Sequence, residues 1–369
     1  MRECVIHFGM PKTGSSAIQG WLLRALDDPA FHCIGTGERG SGNLIAQTFM
    51  DDATQHHRNR KRAVGNDQLR DEHRRLRAAF ERSLAACPAD ATAIFSAELL
   101  SNLADGEFAR LTAALGCRGA PLRAVGYVRP PVSYMQSVFQ QRVKSGAVEF
   151  DPARNYPRYR DRLAKFESLP GASAAGWWLY DPRAFPAGCV VRDFCARLGI
   201  RLGVEPPPRA NESLSLPAIR LLWAYRRFGP GFGSGAGAIR DNALLRRQLN
   251  LLIGPRLRFH AELTVPVLHA QREDICWMEE RLEASLAEPP CEAPDALRRE
   301  EDLLRFDEES LAWLAAQPGT GGARLGAGAT PQDIAAAMHG LRRALAAADE
   351  AATRGARLGA RIRALFTRP

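Results

Sequence analysis

The chain has 369 residues, of which 46% are hydrophobic and 25% are charged. These proportions exclude a disordered chain, and the length is sufficient for a well-buried core. No uncharged stretch reaches the roughly 18–20 apolar residues of a transmembrane helix, so the sequence predicts no membrane span. A formal net charge of +9 suits an anionic ligand but does not identify it.

The start of the sequence indicates the cellular compartment of the protein, and the cysteine spacing indicates whether a metal site is expected. Residues 1–6 lead directly into a strand-like segment, with neither the apolar region nor the cleavage site of a secretory signal, so we expect a cytoplasmic protein. The eight cysteines are scattered and form no C-x-x-C pair. They predict reduced thiols rather than a disulfide framework or a zinc site, and we expect no metal.

Strand-like and helical segments alternate along the first 200 residues or so of the sequence. Apolar runs predict strands at 4–8, 92–96, 123–128, 176–180 and 188–191, and a glycine-rich loop with room for one short strand occupies 32–42. Periodic apolar residues predict helices at 15–26, 68–86, 106–115 and 192–198, and one after Pro131. This alternation predicts a three-layer α/β fold, with a central, mainly parallel sheet flanked by helices.

The second half of the sequence predicts a helical C-terminal extension. We assign residues 1–317 to one α/β domain, of which 210–317 are mostly helical apart from a glycine-rich loop at 229–237. Residues 318–331 form a Gly/Ala linker, and 332–369 form an amphipathic, basic helical tail. Three roles stay open for the tail: packing against its own domain, oligomerisation, or contact with a membrane surface. The sequence does not indicate the oligomeric state.

A glycine-containing loop lies between the first predicted strand and the helix that follows it. Its sequence is Gly9-Met10-Pro11-Lys12-Thr13-Gly14-Ser15-Ser16. Backbone N–H groups converge in such a loop and the helix N-terminus carries partial positive charge, which is typical of a phosphate site. Lys12 precedes Gly14 instead of following it, so the loop is P-loop-like but is not a Walker A sequence. The alternative is a tight turn with a serine at the helix start.

The segment from Phe8 to Gln19 resembles the 5′-phosphosulfate loop of sulfotransferases that use 3′-phosphoadenosine 5′-phosphosulfate (PAPS). It is most similar to the bacterial branch of the family, which resembles the carbohydrate and heparan enzymes. The resemblance extends over about residues 3–215, with a fainter similarity at 305–314. It implies a P-loop-like α/β fold, PAPS as the donor, and contact between Lys12 and the leaving-group oxygen. The residues that it implies for the 5′-phosphate are Pro11, Lys12, Thr13, Gly14, Ser15 and Ser16.

A second segment agrees with this resemblance. An apolar strand ends at Arg129, and Ser137 lies eight residues later on the predicted helix. In the family, an arginine and a serine at this spacing bind the 3′-phosphate of the donor, and the resemblance implies that role for Arg129 and Ser137. A guanidinium group suits it because it forms paired, charge-assisted hydrogen bonds with phosphate. Pro130 departs from the family, which often has Asn or Asp there. Without the resemblance, the pair would be interpreted as an arginine at a strand end and a serine on an ordinary helix.

Glu98 follows the second buried strand and is the first candidate for a general base. Ligands of an open parallel sheet bind at the carboxyl ends of its strands, which directs Glu98 toward the same crevice as Lys12 and Arg129. A carboxylate in that crevice can remove the proton of an acceptor hydroxyl. His7, inside the first strand, and Glu38, in the glycine-rich loop, are the alternative bases.

Together, the motifs and the resemblance that they carry imply a PAPS-dependent sulfotransferase that acts by in-line attack, with Lys12 and Glu98 as catalytic residues. The acceptor implied by the resemblance is a hydroxyl of a glycan, a glycolipid or a glycosylated metabolite, and an amine or a phenol stays open. The basic run at 56–62 has no interleaved aromatic residues, so we expect no nucleic-acid partner. Two alternatives remain, a P-loop kinase that uses ATP and a non-catalytic glycan-binding protein. The position of Lys12 and the lack of a Walker B aspartate argue against the kinase.

Overall fold

A computed structural model describes residues 1–38, 40–62, 65–169, 175–207, 213–321, 325–326 and 328–366. In this part of the chain, a sheet is formed by the strands β1 (Glu3–Phe8), β2 (Phe31–Cys33), β3 (Thr92–Ala97), β4 (Leu122–Val128) and β5 (Gly176–Leu179). The strand order is β2-β3-β1-β4-β5, and each pairing is parallel. The predicted parallel sheet is therefore confirmed.

Helices connect the strands and form most of the C-terminal region. They are α1 (Ser15–Ala25), α2 (Ser41–Gln47), α3 (His57–Arg62), α4 (Asn66–Ala85), α5 (Asp105–Leu115), α6 (Pro131–Lys144), α7 (Tyr159–Leu163), α8 (Val190–Leu198), α9 (Leu216–Phe228), α10 (Gly235–Leu249), α11 (Ala261–Ala270), α12 (Arg272–Leu282), α13 (Glu308–Ala315) and α14 (Pro331–Phe366). Within the described ranges, no helix combines the length and the apolar character needed to cross a membrane.

The side chains of β1 alternate between the two faces of the sheet. Cys4, Ile6 and Phe8 belong to the hydrophobic core on one face, whereas Val5 belongs to the core on the other. All four side chains are fully buried. The strand is thus covered on both sides, which explains why its sequence is a continuous apolar run rather than an alternation of apolar and polar residues.

Helices cover both faces of the sheet. The core that contains Val5 also contains Ile18 and Trp21 from α1 and Phe194 from α8. The opposite core receives side chains from α4, α5, α6 and α9, and it continues into the helical C-terminal region. These two cores enclose the sheet between helical layers, so the predicted three-layer α/β fold with a helical extension is confirmed.

The strand prediction at 188–191 is wrong. These residues include the end of a 3₁₀ turn, Pro186–Gly188, and the start of α8 at Val190. The β-branched pair Val190 and Val191 is typical of a strand by local preference. Both side chains instead pack in the core that α8 shares with α1, and this tertiary contact outweighs the local preference.

The glycine-rich loop predicted at 229–237 is shorter than expected, because α10 begins at Gly235. Glycine has a low helix propensity, which favours a loop in this sequence. The helix packs against α14, and it buries Ala238, Asn242 and Leu245. Packing of a buried face stabilises a helix more than propensity does, so the loop ends earlier than its composition suggests.

The C-terminal helix α14 packs along α9 and α10. Ile334, Met338 and Leu341 on one stripe of α14 are fully buried. The helix begins at Pro331, one residue before its predicted start, and is described as far as Phe366. In the predicted linker, residues 322–324 and 327 lie outside the described part, as do residues 367–369 of the tail and residues 208–212. The division into domain, linker and tail stays a prediction.

Candidate active site

Three predicted site residues lie at one edge of the sheet. The strands β1, β3 and β4 are parallel neighbours, with β1 in the middle. Their carboxyl ends therefore meet along the edge where open α/β sheets bind ligands. The loop with Lys12 follows β1, Glu98 follows β3 and Arg129 follows β4. We call the space that these residues border the crevice.

Hydroxyl groups within the loop after β1 stabilise its tight turn. The Thr13 hydroxyl donates a hydrogen bond to the Met10 carbonyl oxygen (2.7 Å) and lies 3.4 Å from the Ser15 Oγ. A Cβ atom on Gly9 would lie 2.0 Å from the same Ser15 Oγ, so only glycine allows the strand end to approach the helix start this closely. Thr13 and Ser15 are buried as a result.

The loop turns sharply into α1. Both Lys12 (φ 70°) and Gly14 (φ 82°) adopt the left-handed backbone conformation. α1 begins at Ser15, and no side chain in the described ranges caps its N-terminus. Since the first N–H groups of a helix lack intrahelical partners and carry partial positive charge, this terminus offers donors to an anion. The half-buried Lys12 adds a full positive charge to the same loop.

Arg129 joins the two sequence motifs. Its Nη1 donates a hydrogen bond to the carbonyl oxygen of Lys12 (2.8 Å), and its Nε donates to the Ser133 Oγ (3.2 Å). The guanidinium carbon lies 5.6 Å from the centre of the Tyr180 ring. The Tyr159 hydroxyl donates to the carbonyl oxygen of Arg129 (2.7 Å). These contacts fix the strand end and its side chain against the loop after β1.

One serine of α6 contacts this arginine, and a second serine follows it on the same face of the helix. Ser133 accepts the hydrogen bond from Arg129 and donates one to the Pro130 carbonyl oxygen (3.2 Å). Ser137 lies one helical turn further on the same face, and it is half-buried. Ser133 was missed in the sequence analysis, although the four-residue spacing between the two serines carries the signal. Ser133 orients the guanidinium, while Ser137 is the serine that the resemblance assigns to phosphate.

Glu98 lies directly against the loop after β1. It is the first residue of the 3₁₀ turn Glu98–Asn102, which follows β3. A Cβ atom on Gly9 would lie 3.4 Å from the Glu98 Cα, so the two backbones are in contact. The next N–H group, that of Leu99, donates to the Asn43 Oδ1 of α2 (3.0 Å). These contacts hold the half-buried Glu98 at the predicted edge of the sheet.

Tyr134 and Arg162 are two further polar residues at the crevice. The Arg162 Nη1 donates to the Tyr134 hydroxyl (2.9 Å), and Tyr134 is only 2% exposed. Burial raises the pKa of the Tyr134 phenol, the Arg162 guanidinium lowers it in part, and the Glu98 carboxylate raises it further. Arg129 has a smaller lowering effect. The Tyr134 hydroxyl therefore lies in the electrostatic field of Glu98, Arg129 and Arg162.

The two alternative bases have different surroundings. His7 is fully buried in β1, its Nδ1 lies 2.7 Å from the Ser96 Oγ, and its ring packs edge-on against Phe194. Burial lowers the pKa of His7 from its ordinary value of 6.5 to about 3, so the ring is neutral near pH 7. Glu38 is exposed in the loop before α2, where its carbonyl oxygen accepts a hydrogen bond from the Ser41 N–H group (3.1 Å).

The cysteines and the possible metal-ligating side chains were compared with the requirements of a nucleophile and of a metal site. All eight cysteines are free thiols. Burial raises the pKa of Cys4, Cys33 and Cys195 to about 12, so these thiols are not nucleophiles near pH 7. Over the described ranges, no three side chains of His, Cys, Asp or Glu are grouped to hold a metal ion.

Comparisons with known proteins give one similarity. The sequence matches no protein-family model and no curated protein sequence. The structure is similar to the crystal structure of a sulfotransferase from Alicyclobacillus acidocaldarius, with a TM-score of 0.44 and 13% sequence identity. The similarity covers 77% of this chain and 97% of that chain.

Proposed function

We propose that this protein is a sulfotransferase that transfers a sulfuryl group from PAPS to an acceptor hydroxyl, on a carbohydrate or a glycosylated molecule. The hydrogen bond from the Arg129 guanidinium to the Lys12 carbonyl oxygen carries the proposal. It joins two motifs that are 117 residues apart in the sequence. A donor with phosphate groups at both its 5′ and 3′ positions needs two anion sites in one crevice, and this contact supports such an arrangement.

The loop after β1 is the site for the 5′ end of the donor. The N–H groups at the start of α1 and the hydroxyl groups of Ser15 and Ser16 donate to the 5′-phosphate, whereas the Thr13 hydroxyl, which donates to the Met10 carbonyl oxygen, stabilises the loop. Thr13 and Ser15 are buried, whereas Ser16 is exposed. The Lys12 ammonium group lies in the same loop and neutralises the charge that develops on the phosphate oxygen as it leaves. We assign the largest electrostatic contribution to this residue.

Arg129 and Ser137 form the site for the 3′-phosphate. The Arg129 guanidinium is oriented by Lys12 and Ser133, and a guanidinium group forms charge-assisted hydrogen bonds with phosphate. Ser137 lies on the same face of α6 as Ser133 and adds a hydroxyl donor. Arg162 adds a further positive charge beside Tyr134, so three cationic side chains balance the charge of a multiply anionic donor.

Glu98 is the general base of the proposed reaction. The acceptor oxygen attacks sulfur and forms the new S–O bond, while the bond from sulfur to the 5′-phosphate oxygen breaks. The acceptor proton passes to the Glu98 carboxylate, and the bonding electron pair leaves with the 3′-phosphoadenosine 5′-phosphate. Glu98 is suited to this role because it is half-buried at the strand end and lies against the donor loop.

Sulfuryl transfer from ³⁵S-labelled PAPS to a panel of sugars and glycosides tests the function and the base. Glu98→Gln is expected to lower the transfer rate by about 10²–10⁴-fold, the usual contribution of a positioned base. Glu38→Gln is the matched control, because it makes the same change on an exposed alternative base, and it is expected to leave the rate within about twofold of the wild type. Loss of transfer in Glu38→Gln alone would move the base to Glu38. Donor binding without transfer to any acceptor would indicate a non-catalytic protein.

A further inference from the structure

A cavity of about 550 Å³ lies between the start of α7 and the corner between α11 and α12. Its lining includes three arginines, Arg158, Arg160 and Arg272, together with His269. A volume of this size is within the range of about 300–1,000 Å³ that is typical of small-molecule sites. The function proposed above leaves this cavity without a role.

The arginines of the cavity are available to a ligand. Among the described residues, none of the three forms an ion pair, although the structure has many such pairs elsewhere. The Arg160 side chain lies over the ring of Trp277, with its guanidinium carbon 5.7 Å from the ring centre. All three are exposed, so their planar groups can form paired hydrogen bonds with an incoming carboxylate or sulfate.

The carboxylates of the cavity divide into two kinds. Asp274 accepts hydrogen bonds from the Tyr156 hydroxyl (2.9 Å) and from the N–H groups of Tyr159 and Arg160 (2.8 Å each), so its oxygens are already used. Asp161 and Glu273 are exposed in the cavity lining. These two groups can accept hydrogen bonds from the hydroxyl groups of a sugar, and together with Asp274 they equal the three arginines of the lining in number.

Tyr159 connects the cavity to the crevice. Its hydroxyl reaches the carbonyl oxygen of Arg129 (2.7 Å), whereas its N–H group donates to Asp274 in the cavity wall (2.8 Å). The two sites are therefore about one tyrosine side chain apart. Arg162, on the same short helix, reaches Tyr134 in the crevice. α7 thus presents residues to both sites.

We infer that this cavity binds the acceptor through an oxyanion, and that the acceptor is an acidic saccharide with a carboxylate or an ester sulfate. The inference rests on the proposed function and adds the charge of its acceptor. Arg158, Arg160 and Arg272 hold the oxyanion, while Asp161 and Glu273 accept hydrogen bonds from neighbouring hydroxyl groups. A neutral saccharide offers the three guanidinium groups only hydroxyl oxygens, which form weaker hydrogen bonds with a cation than an oxyanion does.

Binding of three matched glycosides to the full chain tests this inference without requiring turnover. The probes are p-nitrophenyl β-D-glucuronide, p-nitrophenyl β-D-glucoside 6-sulfate and the uncharged p-nitrophenyl β-D-glucoside, and ligand-observed NMR measures each dissociation constant. We expect at least one charged probe to bind about tenfold more tightly than the uncharged one. The comparison between the two charged probes identifies the oxyanion. In the double variant Arg158→Gln/Arg272→Gln, the dissociation constants of the charged and uncharged probes are expected to differ by no more than about twofold.

The control for this experiment is Arg247→Gln, which makes the same change at an exposed arginine of α10. This variant is expected to prefer the charged probes over the uncharged one to the same degree as the wild type. Equal binding of charged and uncharged probes, a preference that survives in the double variant, or no binding of either charged probe would overturn the inference. Binding of 3′-phosphoadenosine 5′-phosphate is measured in parallel. A charged-probe preference that depends on the two arginines, in a chain that does not bind the bisphosphate, would support the cavity and refute the donor site.

Discussion

Lys12 adopts a backbone conformation that is costly for any residue with a Cβ atom. Its φ of 70° is in the left-handed region, which glycine enters freely and other L-residues enter at a cost of roughly 1–2 kcal/mol. Glycine at this position would relieve the strain but would remove the ammonium group. Retention of a strained lysine in the loop is consistent with a functional requirement for its charge.

Two substitutions of Lys12 separate strain from charge. Lys12→Gly is expected to be about 1 kcal/mol more stable than Lys12→Ala, because only the alanine keeps a Cβ atom in the left-handed region. Both variants are expected to lose about 10²–10³-fold in the rate of sulfuryl transfer, since both lack the ammonium group. Chemical unfolding and the ³⁵S transfer assay measure the two effects. A Lys12→Gly variant with full transfer activity would show that Lys12 has no catalytic role.

His7 makes the stability of the protein depend on pH. Burial lowers the pKa of His7 to about 3 in the folded state, whereas the ordinary value is 6.5. The unfolded chain therefore binds one more proton than the folded chain between these two values, and the stability due to neutral His7 is lost as the pH falls below 6.5. Between pH 7 and pH 4.5 the expected loss is about 2.5 kcal/mol.

The variant His7→Asn removes this titration and keeps a polar group near Ser96. Its free energy of unfolding is expected to fall by about 2.5 kcal/mol less than that of the wild type between pH 7 and pH 4.5, as measured by urea unfolding at each pH. The difference between the two proteins isolates His7 from the other titrating groups. If both proteins lose the same free energy over this range, His7 is not a buried neutral residue.

At the scale of elements, the start of α6 depends on a residue that is distant in sequence. The Glu288 carboxylate, on the segment after α12, accepts hydrogen bonds from the N–H groups of Val132 (2.7 Å) and Ser133 (3.0 Å). A negative charge at a helix N-terminus is favourable for the helix dipole. Glu288 therefore fixes the turn of α6 that carries Ser133, the serine that orients Arg129.

Removal of this capping carboxylate is expected to destabilise the protein. Glu288→Ala is expected to lower the free energy of unfolding by about 1–2 kcal/mol, and Glu288→Gln by less, because the amide oxygen still accepts one hydrogen bond. Urea unfolding measures both changes. Glu292→Ala, on the same segment but exposed, is the matched control and is expected to have little effect. Equal stability of Glu288→Ala and the control would refute the capping role.

Elements with one dominant local signal were predictable from the sequence, and elements decided by packing were not. β1, β3 and β4 are buried on both faces, so their continuous apolar runs predicted them to within about one residue at each end. The segment at 188–191 has the same β-branched character, but it starts a helix because its valines pack against α1. Sequence patterns do not distinguish a short buried strand from the first turn of a buried helix.

At the scale of the whole molecule, some contacts between site residues were predictable from the sequence and others were not. Lys12, Glu98 and Arg129 each follow a predicted parallel strand, and strand ends of one sheet meet at one edge, so their proximity was predictable. Tyr134 and Arg162 were not predictable as a pair. Their contact depends on how α7 packs beside α6, which no spacing in the sequence encodes.

The helical C-terminal region is joined to the sheet layer through a buried arginine. Arg226 of α9 is 4% exposed, and it donates hydrogen bonds to the carbonyl oxygens of Val143 (3.4 Å) and Lys144 (3.5 Å) at the end of α6. A cation is favourable at a helix C-terminus. Burial lowers the pKa of Arg226 to about 10, so the group stays charged near pH 7. Both ends of α6, the helix beside the crevice, are thus held by charged residues from the C-terminal half.

Calorimetric titration with 3′-phosphoadenosine 5′-phosphate tests the proposed donor site most directly. AMP, which lacks the 3′-phosphate, and ATP with Mg²⁺ are titrated in parallel, and Arg247→Ala serves as the exposed-arginine control for Arg129→Ala. We predict that the bisphosphate binds at least about tenfold more tightly than either other ligand, and that Arg129→Ala abolishes this preference while Arg247→Ala retains it. No binding of the bisphosphate, or a preference for ATP with Mg²⁺, would contradict the sulfotransferase proposal.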